Sequence, residues 1–186
     1  LEVLLDFAEE NLETVVTYNT FSQPAQPGTL AHYLMLCYDQ LQRDFNRLVA
    51  AYKNTNRSAM GGAAGIGTGF DLDRQYESEI LGFDSVIENT IDAIASNDYI
   101  LETQSALAIM CVNLSKIAQD FLSWCSYEYK IVDLDAFVCG GSSIMPQKKN
   151  PEVFEQMRAY SAYAIGSLNE MLSLNKNTSL FPNLEA

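Results

Sequence analysis

The sequence predicts an all-α fold, a bundle of long helices. Apolar residues recur at helical spacing through its long periodic stretches, and nothing alternates like a strand for long. One of those helices is apolar on nearly all sides, which places it deep within a bundle. The 186 residues, 48% hydrophobic and 19% charged, are enough for one domain with a sizeable core, and they exclude disorder and a disulfide miniprotein.

The elements follow in order. Leu1 to Val16 carries Leu1, Leu4, Leu5, Ala8, Leu12, Val15 and Val16 on one stripe and reads as a helix. It begins in mid-pattern with no capping residue, so the chain is expected to be the central portion of a longer one, a single helical domain over residues 1–186. Thr17 to Gly28 is polar and contains prolines, as an ordered loop does. A second helix, Thr29 to Lys53, uses Leu30, Tyr33, Leu34, Cys37, Leu41, Phe45, Leu48 and Tyr52. Asn54 to Asp73 is too rich in Gly, Ala and Ser to stay helical, and its backbone N–H groups could come close to a ligand. A third helix, Arg74 to Ser96, is built on Ile80, Phe83, Val86, Ile87, Ile91 and Ile94.

Asn97-Asp98 caps a fourth helix, Tyr99 to Tyr129, the one that is apolar all round. At 1.5 Å per residue it is roughly 45 Å long, more than a chain of this size can surround, so self-association into a larger bundle is expected. Asn150-Pro151 supplies an N-cap and first-turn pair for a fifth helix ending near Asn175.

Charge and cysteine narrow the function. Eleven Lys and Arg against 24 Asp and Glu give a net charge of −13, which repels phosphate backbones and argues against nucleic-acid binding. An anionic small molecule is still allowed if the few basic residues gather at one place. There is a single histidine, His32, so no His-rich metal site can form in one copy. The four cysteines, Cys37, Cys111, Cys125 and Cys139, contain no Cys-x-x-Cys pair and read as free thiols buried in helices. No signal peptide opens the chain and no long apolar run offers a membrane span; a cytoplasmic protein is expected.

Between the fourth and fifth helices runs Cys139-Gly140-Gly141-Ser142-Ser143-Ile144-Met145-Pro146-Gln147-Lys148-Lys149-Asn150-Pro151. It combines backbone freedom, two hydroxyls, two adjacent lysines and a helix N-terminus. A serine there loses its proton more readily, because Lys148 and backbone N–H groups stabilise the alkoxide. A generic Gly-Ser-Lys loop is more often solvated surface than site.

The full string is more specific. From Gly141 to Pro151 it resembles the signature loop of the fumarase/aspartase superfamily, Gly-Ser-Ser-x-Met-Pro-x-Lys-x-Asn-Pro, and Gln147-Lys148-Lys149 is most similar to the argininosuccinate lyase branch. Gln23 to Leu34 and Gly62 to Arg74 resemble two further segments of that family, in family order. The resemblance implies homotetramers around a central helix bundle, and β-elimination that releases fumarate from a substituted succinate without metal or organic cofactor. Argininosuccinate, split into arginine and fumarate, is the implied substrate. It makes Ser142 the residue that removes the Cβ proton. Lys148 and Asn150 bind the substrate carboxylates and steady the loop, with Thr20, Gln26 and Ser143 as further substrate-binding residues.

The chain departs from the family pattern in places. Where the family reads Thr-His-x-Gln-x-Ala-Gln-Pro, this sequence has Thr20-Phe21-Ser22-Gln23-Pro24-Ala25-Gln26-Pro27, and Phe21 cannot carry a proton. His32 lies in the next helix, eleven residues after Phe21, and is expected to be structural. The family's upstream Ser-Arg-Asn-Asp segment is absent, and its Tyr-Asn-x-Asp-Leu-Gln stretch is met only by Phe181-Pro182-Asn183-Leu184-Glu185-Ala186. Three functions therefore stay open: an argininosuccinate lyase, a catalytically impaired or repurposed paralogue, and a lyase for a different fumarate adduct.

Overall fold

A computed structural model describes residues 1–181; the expectation drawn from residues 182–186 lies outside them. The chain is predominantly helical, as expected, with α1 (Glu2–Glu10), α2 (Leu30–Thr55), α3 (Arg74–Leu81), α4 (Thr90–Ala95), α5 (Asp98–Trp124) and α6 (Glu152–Asn175). Four short strands accompany them: β1 (Val15–Thr20), β2 (Gln23–Thr29), β3 (Arg57–Ser58) and β4 (Ser85–Val86). The residues group into two compact units. One holds Leu1–Phe45 and Ile109–Tyr163, the other Asn46–Ala108 and the chain from Ala164 on.

In the first unit, α1 ends at Glu10 rather than near Val16. Asn11 stops it, donating its side-chain amide to Phe7 O at 2.8 Å and accepting from Thr14 Oγ1 at 3.0 Å. The β-branched run Thr14-Val15-Val16-Thr17 then goes into a strand, where such side chains keep their favoured rotamers. The segment expected as a loop is an antiparallel hairpin, β1 against β2, with a register shift between Tyr18 and Asn19. Under it lies a core of Ala8, Val16, Leu30, Ala31, Leu34 and Trp124, with Tyr33 and Phe121 packed against them. The Tyr33 and Trp124 rings stand 4.5 Å apart, close enough for a favourable aromatic pair. Farther along α2, Asp44 is fully buried and accepts both contacts of the Asn113 amide, at 2.9 and 3.2 Å, so its charge is not left without hydrogen bonds.

In the second unit the expected third helix is two. Gly82, at φ +82°, ends α3 in the left-handed conformation that glycine adopts without steric cost, and Asn89 caps α4 by accepting from the Ile91 and Asp92 N–H groups. Between them Ser85–Val86 pairs in parallel with Arg57–Ser58. The Gly-rich segment closes on itself: the Gly62 carbonyl accepts from the N–H groups of both Gly65 and Gly67. Arg74 donates to the carbonyls of Met60, Glu88 and Ile87, at 2.8, 3.4 and 2.8 Å, and so ties this segment to the strand region. The glycines thus serve a tight backbone knot.

α5 stops at Trp124, short of Tyr129, where the N–H groups of Ile131 and Val132 turn back to the Trp124 carbonyl. Its buried residues are mostly small, Ala106, Ala108 and Ala118, while Leu107 and Ile109 are exposed in the single chain. All four cysteines are free. Cys37 is the buried one, and burial pushes its thiol up to about 11; Cys125 and Cys139 lie beyond helix ends and not within helices as expected. Among the described residues no helix is long and apolar enough to cross a membrane.

Candidate active site

The loop before α6 is closed at its neck. Gly140 and Asn150 form an antiparallel bridge, Gly140 N–H donating to Asn150 O at 2.8 Å and Asn150 N–H to Gly140 O at 3.0 Å. The Asn150 side chain adds a third bond, Nδ2 donating to Gly141 O at 3.2 Å. Asn150 therefore fixes the loop's base with backbone and side chain together. Inside the loop, Met145 N–H donates to Ser142 Oγ at 3.2 Å and Lys148 N–H to Met145 O at 3.0 Å. Ser142 is half-buried with its own proton unshared, whereas Ser143 is exposed. An N–H aimed at the Ser142 oxygen favours the deprotonated form, as a base requires.

The two lysines are not equivalent. Lys149 Nζ lies 2.6 Å from Asp133 Oδ1, and that hydrogen bond raises the lysine above its ordinary range. Lys148 makes no ion pair among the described residues. It lines a cavity of about 620 Å³ with Tyr127, Lys130, Met145 and Gln147, in which the Lys130 ammonium sits 4.0 Å from the Tyr127 ring centre. The loop's available positive charge is thus carried by Lys148.

Gly140 has a packing reason as well. A Cβ there would run into the Glu152 carboxylate and approach the Glu152 Cβ to 3.2 Å. Gly140→Ala is expected to destabilise the protein by about 1–2 kcal/mol in chemical denaturation, because Glu152 must leave its bond with Gln156. Gly141→Ala, facing open space, should leave the denaturation midpoint unchanged.

The other candidates sit on the hairpin. Thr20 ends β1 and Gln26 lies in β2; both line a cavity of about 440 Å³ with Tyr33, Asp120, Trp124 and Tyr129. Tyr33 Oη donates to Asp120 Oδ2 at 2.8 Å, and burial raises its hydroxyl far above the usual tyrosine range, so it stays protonated. Phe21 and Ser22 form the two-residue connection, both left-handed, at φ +51° and +60°. That pair of conformations suits a tight hairpin turn but is unfavourable for a bulky side chain. The Phe21 side chain is 100% exposed and does not line the cavity. His32, also exposed, stacks on Tyr18 at 6.3 Å.

One chain thus gathers its candidates at two places. Thr20 and Gln26 share the hairpin cavity, Lys148 faces the other, and Ser142, Ser143 and Asn150 line neither. Sequence reasoning did not reach Asn19, Tyr33, Asp120 or Lys130. Asn19 stands next to Thr20, Tyr33 and Asp120 lie on α2 and α5, and Lys130 follows the end of α5.

Residues 1–166 match the model of a family described as lyase. The chain belongs to this lyase family. Argininosuccinate lyase 1 of Shouchella clausii is 44% identical over 175 residues, 94% of this chain and 35% of that protein. The argininosuccinate lyase of Methanocorpusculum labreanum is 45% identical over 180 residues, 97% and 37% of the two chains. Among solved structures, an EDDS lyase in complex with formate superposes with a TM-score of 0.95 at 35% identity, covering 99% of this chain and 37% of that one. A class II fumarase from Schistosoma mansoni shares the fold, with a TM-score of 0.84 at 21% identity over 97% and 43% of the two chains. The lyase chain described here spans little more than a third of the curated relatives it matches. These likenesses agree with the superfamily resemblance read from residues 141–151.

Proposed function

We propose that the protein takes part in a β-elimination that releases fumarate from a substituted succinate, with argininosuccinate the first candidate substrate. The observation that carries this reading is the unsubstituted loop from Gly141 to Pro151, closed by Asn150 and presenting Ser142 and Lys148. In the proposed reaction the Cβ–H pair becomes the new C=C bond as the C–N bond breaks. Ser142, as the alkoxide, takes the Cβ proton. The negative charge spreads into the adjacent carboxylate, where the Lys148 ammonium and the Asn150 amide stabilise it. Thr20, Gln26 and Ser143 hold the substrate. The leaving nitrogen takes its proton from solvent water, since Phe21 supplies none.

Self-association as a homotetramer belongs to the same proposal, supported by the large apolar side chains such as Leu107 and Ile109 that a single chain leaves exposed on α5. A second reading, a lyase for another fumarate adduct, is favoured by Phe21 standing where the family has histidine and by the likeness to an EDDS lyase. The test follows fumarate absorbance after argininosuccinate is added to the full-length protein. Fumarate release supports the first reading. Silence with argininosuccinate but product from another N-substituted aspartate supports the second, and silence across both rejects elimination.

A further inference from the structure

Two of the four cysteines stand at the ends of the segment that leads from α5 into the Ser142 loop. Cys125 is the first residue past Trp124, and its N–H still donates to Phe121 O at 2.9 Å, so the last turn of α5 holds it. Cys139 follows a short 3-10 turn, Ala136–Val138, and its N–H donates to Ala136 O at 3.3 Å. Its next neighbour is Gly140, whose bridge to Asn150 closes the loop. Fourteen residues apart in sequence, the two cysteines line one narrow cavity of about 20 Å³, room for roughly one water, together with Asp133 and Lys149. Burial, then the nearness of Cys139 and Asp133, raises the Cys125 thiol, while the Lys149 ammonium pulls it down. Both thiols are free and half-buried, within reach of a small solute, whereas Cys37 is buried beside Tyr33.

We propose that Cys125 and Cys139 are a redox pair, joined by peroxide into a reversible disulfide that ties the neck of the Ser142 loop to the end of α5. The Cys139 sulfur attacks one peroxide oxygen; the O–O bond breaks, leaving a sulfenic acid on Cys139 and releasing one water. The Cys125 sulfur then attacks the Cys139 sulfur, aided by the Lys149 ammonium, which favours the thiolate. The S–S bond forms, and the displaced hydroxyl leaves as a second water with the Cys125 proton. Two thiols are thus oxidised and one peroxide is reduced to two waters. Burial keeps the proton on Cys125 longer, which suits this second, resolving attack and not the first. A disulfide holds its two Cβ atoms about 3.8 Å apart, so it sets where Cys139 and the adjoining Gly140 bridge stand relative to α5. The consequence for turnover rests on the elimination reading: with the neck fixed, Ser142 is displaced from the Cβ proton and fumarate release slows.

The test treats the full chain with hydrogen peroxide, counts thiols, maps the crosslink by mass spectrometry and follows the emission of Trp124. The four free thiols should fall to two, with Cys125 and Cys139 joined within one chain. Trp124 is the single tryptophan and adjoins Cys125, so its emission should drop as the disulfide forms and recover with dithiothreitol. Fumarate release should fall at least about tenfold in the same sample, well within the loss that a small misplacement of a reacting group produces, and recover with the reductant. Cys125→Ser and Cys139→Ser should each keep the basal rate and lose the reversible response. Four surviving thiols, a crosslink between other cysteines or between copies, or a Cys125→Ser chain that still loses two thiols would overturn the proposal. A crosslinked protein that eliminates as fast as the reduced one overturns the switch. A protein that releases no fumarate in either state sinks the elimination reading instead, and the thiol count, the map and the emission then decide the pair alone.

Discussion

Phe21→His is expected to raise the rate of fumarate release by about 10²- to 10⁴-fold, the range over which a positioned general acid or base contributes. The backbone already favours the change. Phe21 sits at φ +51° on the hairpin turn, a region in which histidine is several-fold enriched and bulky residues are outliers. Phe21 packs against nothing, being 100% exposed, so its removal opens no cavity. The control is Phe21→Gly, which relieves the positive φ and should raise stability by about 1 kcal/mol in thermal denaturation without accelerating elimination. A glycine variant as fast as the histidine variant would mean that backbone strain, not proton transfer, limits the rate. If Phe21→His releases no more fumarate than the unmodified protein, position 21 handles no proton here.

The long helices were readable because each buries one recurring stripe, and α2, α5 and α6 lie close to where periodicity puts them. The hairpin was not readable. Its second strand, Gln23-Pro24-Ala25-Gln26-Pro27-Gly28-Thr29, has two prolines and no apolar alternation, and it is tolerated as a strand because it belongs to a two-stranded ribbon with a free edge. The break in the third helix depends on the left-handed Gly82, whose apolar flanks conceal it within a helical pattern. At the site, the Gly141 to Pro151 string was legible as chemistry. The inequality of Lys148 and Lys149 was not, since Asp133 lies sixteen residues from the lysine it occupies. Tyr33 and Asp120 are 87 residues apart, and only packing of α2 against α5 within the first unit makes them a pair.

Ser142→Ala should lower the rate of fumarate release by about 10³-fold or more, because it removes the group proposed to accept the Cβ proton. The substitution also deletes the bond from Met145 N–H, so part of any loss could come from a loosened loop. That bond is a neutral one at the protein surface, between the half-buried Ser142 and the exposed Met145, worth about 1 kcal/mol, or roughly fivefold, which is far short of the expected effect. Three neighbours separate the roles further. Ser143→Ala, at an exposed hydroxyl, should cost less than about tenfold, mainly in KM. Lys148→Met removes the charge proposed to face the developing carbanion and should lower kcat as well as kcat/KM. Lys149 lines the same cavity but its charge is already paired with Asp133, so the effect of Lys149→Met should be the smaller of the two. A Ser142→Ala enzyme that keeps a tenth of its rate, or a Lys149 variant worse than the Lys148 one, would move the chemistry away from this loop. The ordering of the four variants therefore tests the geometry more sharply than the loss at Ser142 alone.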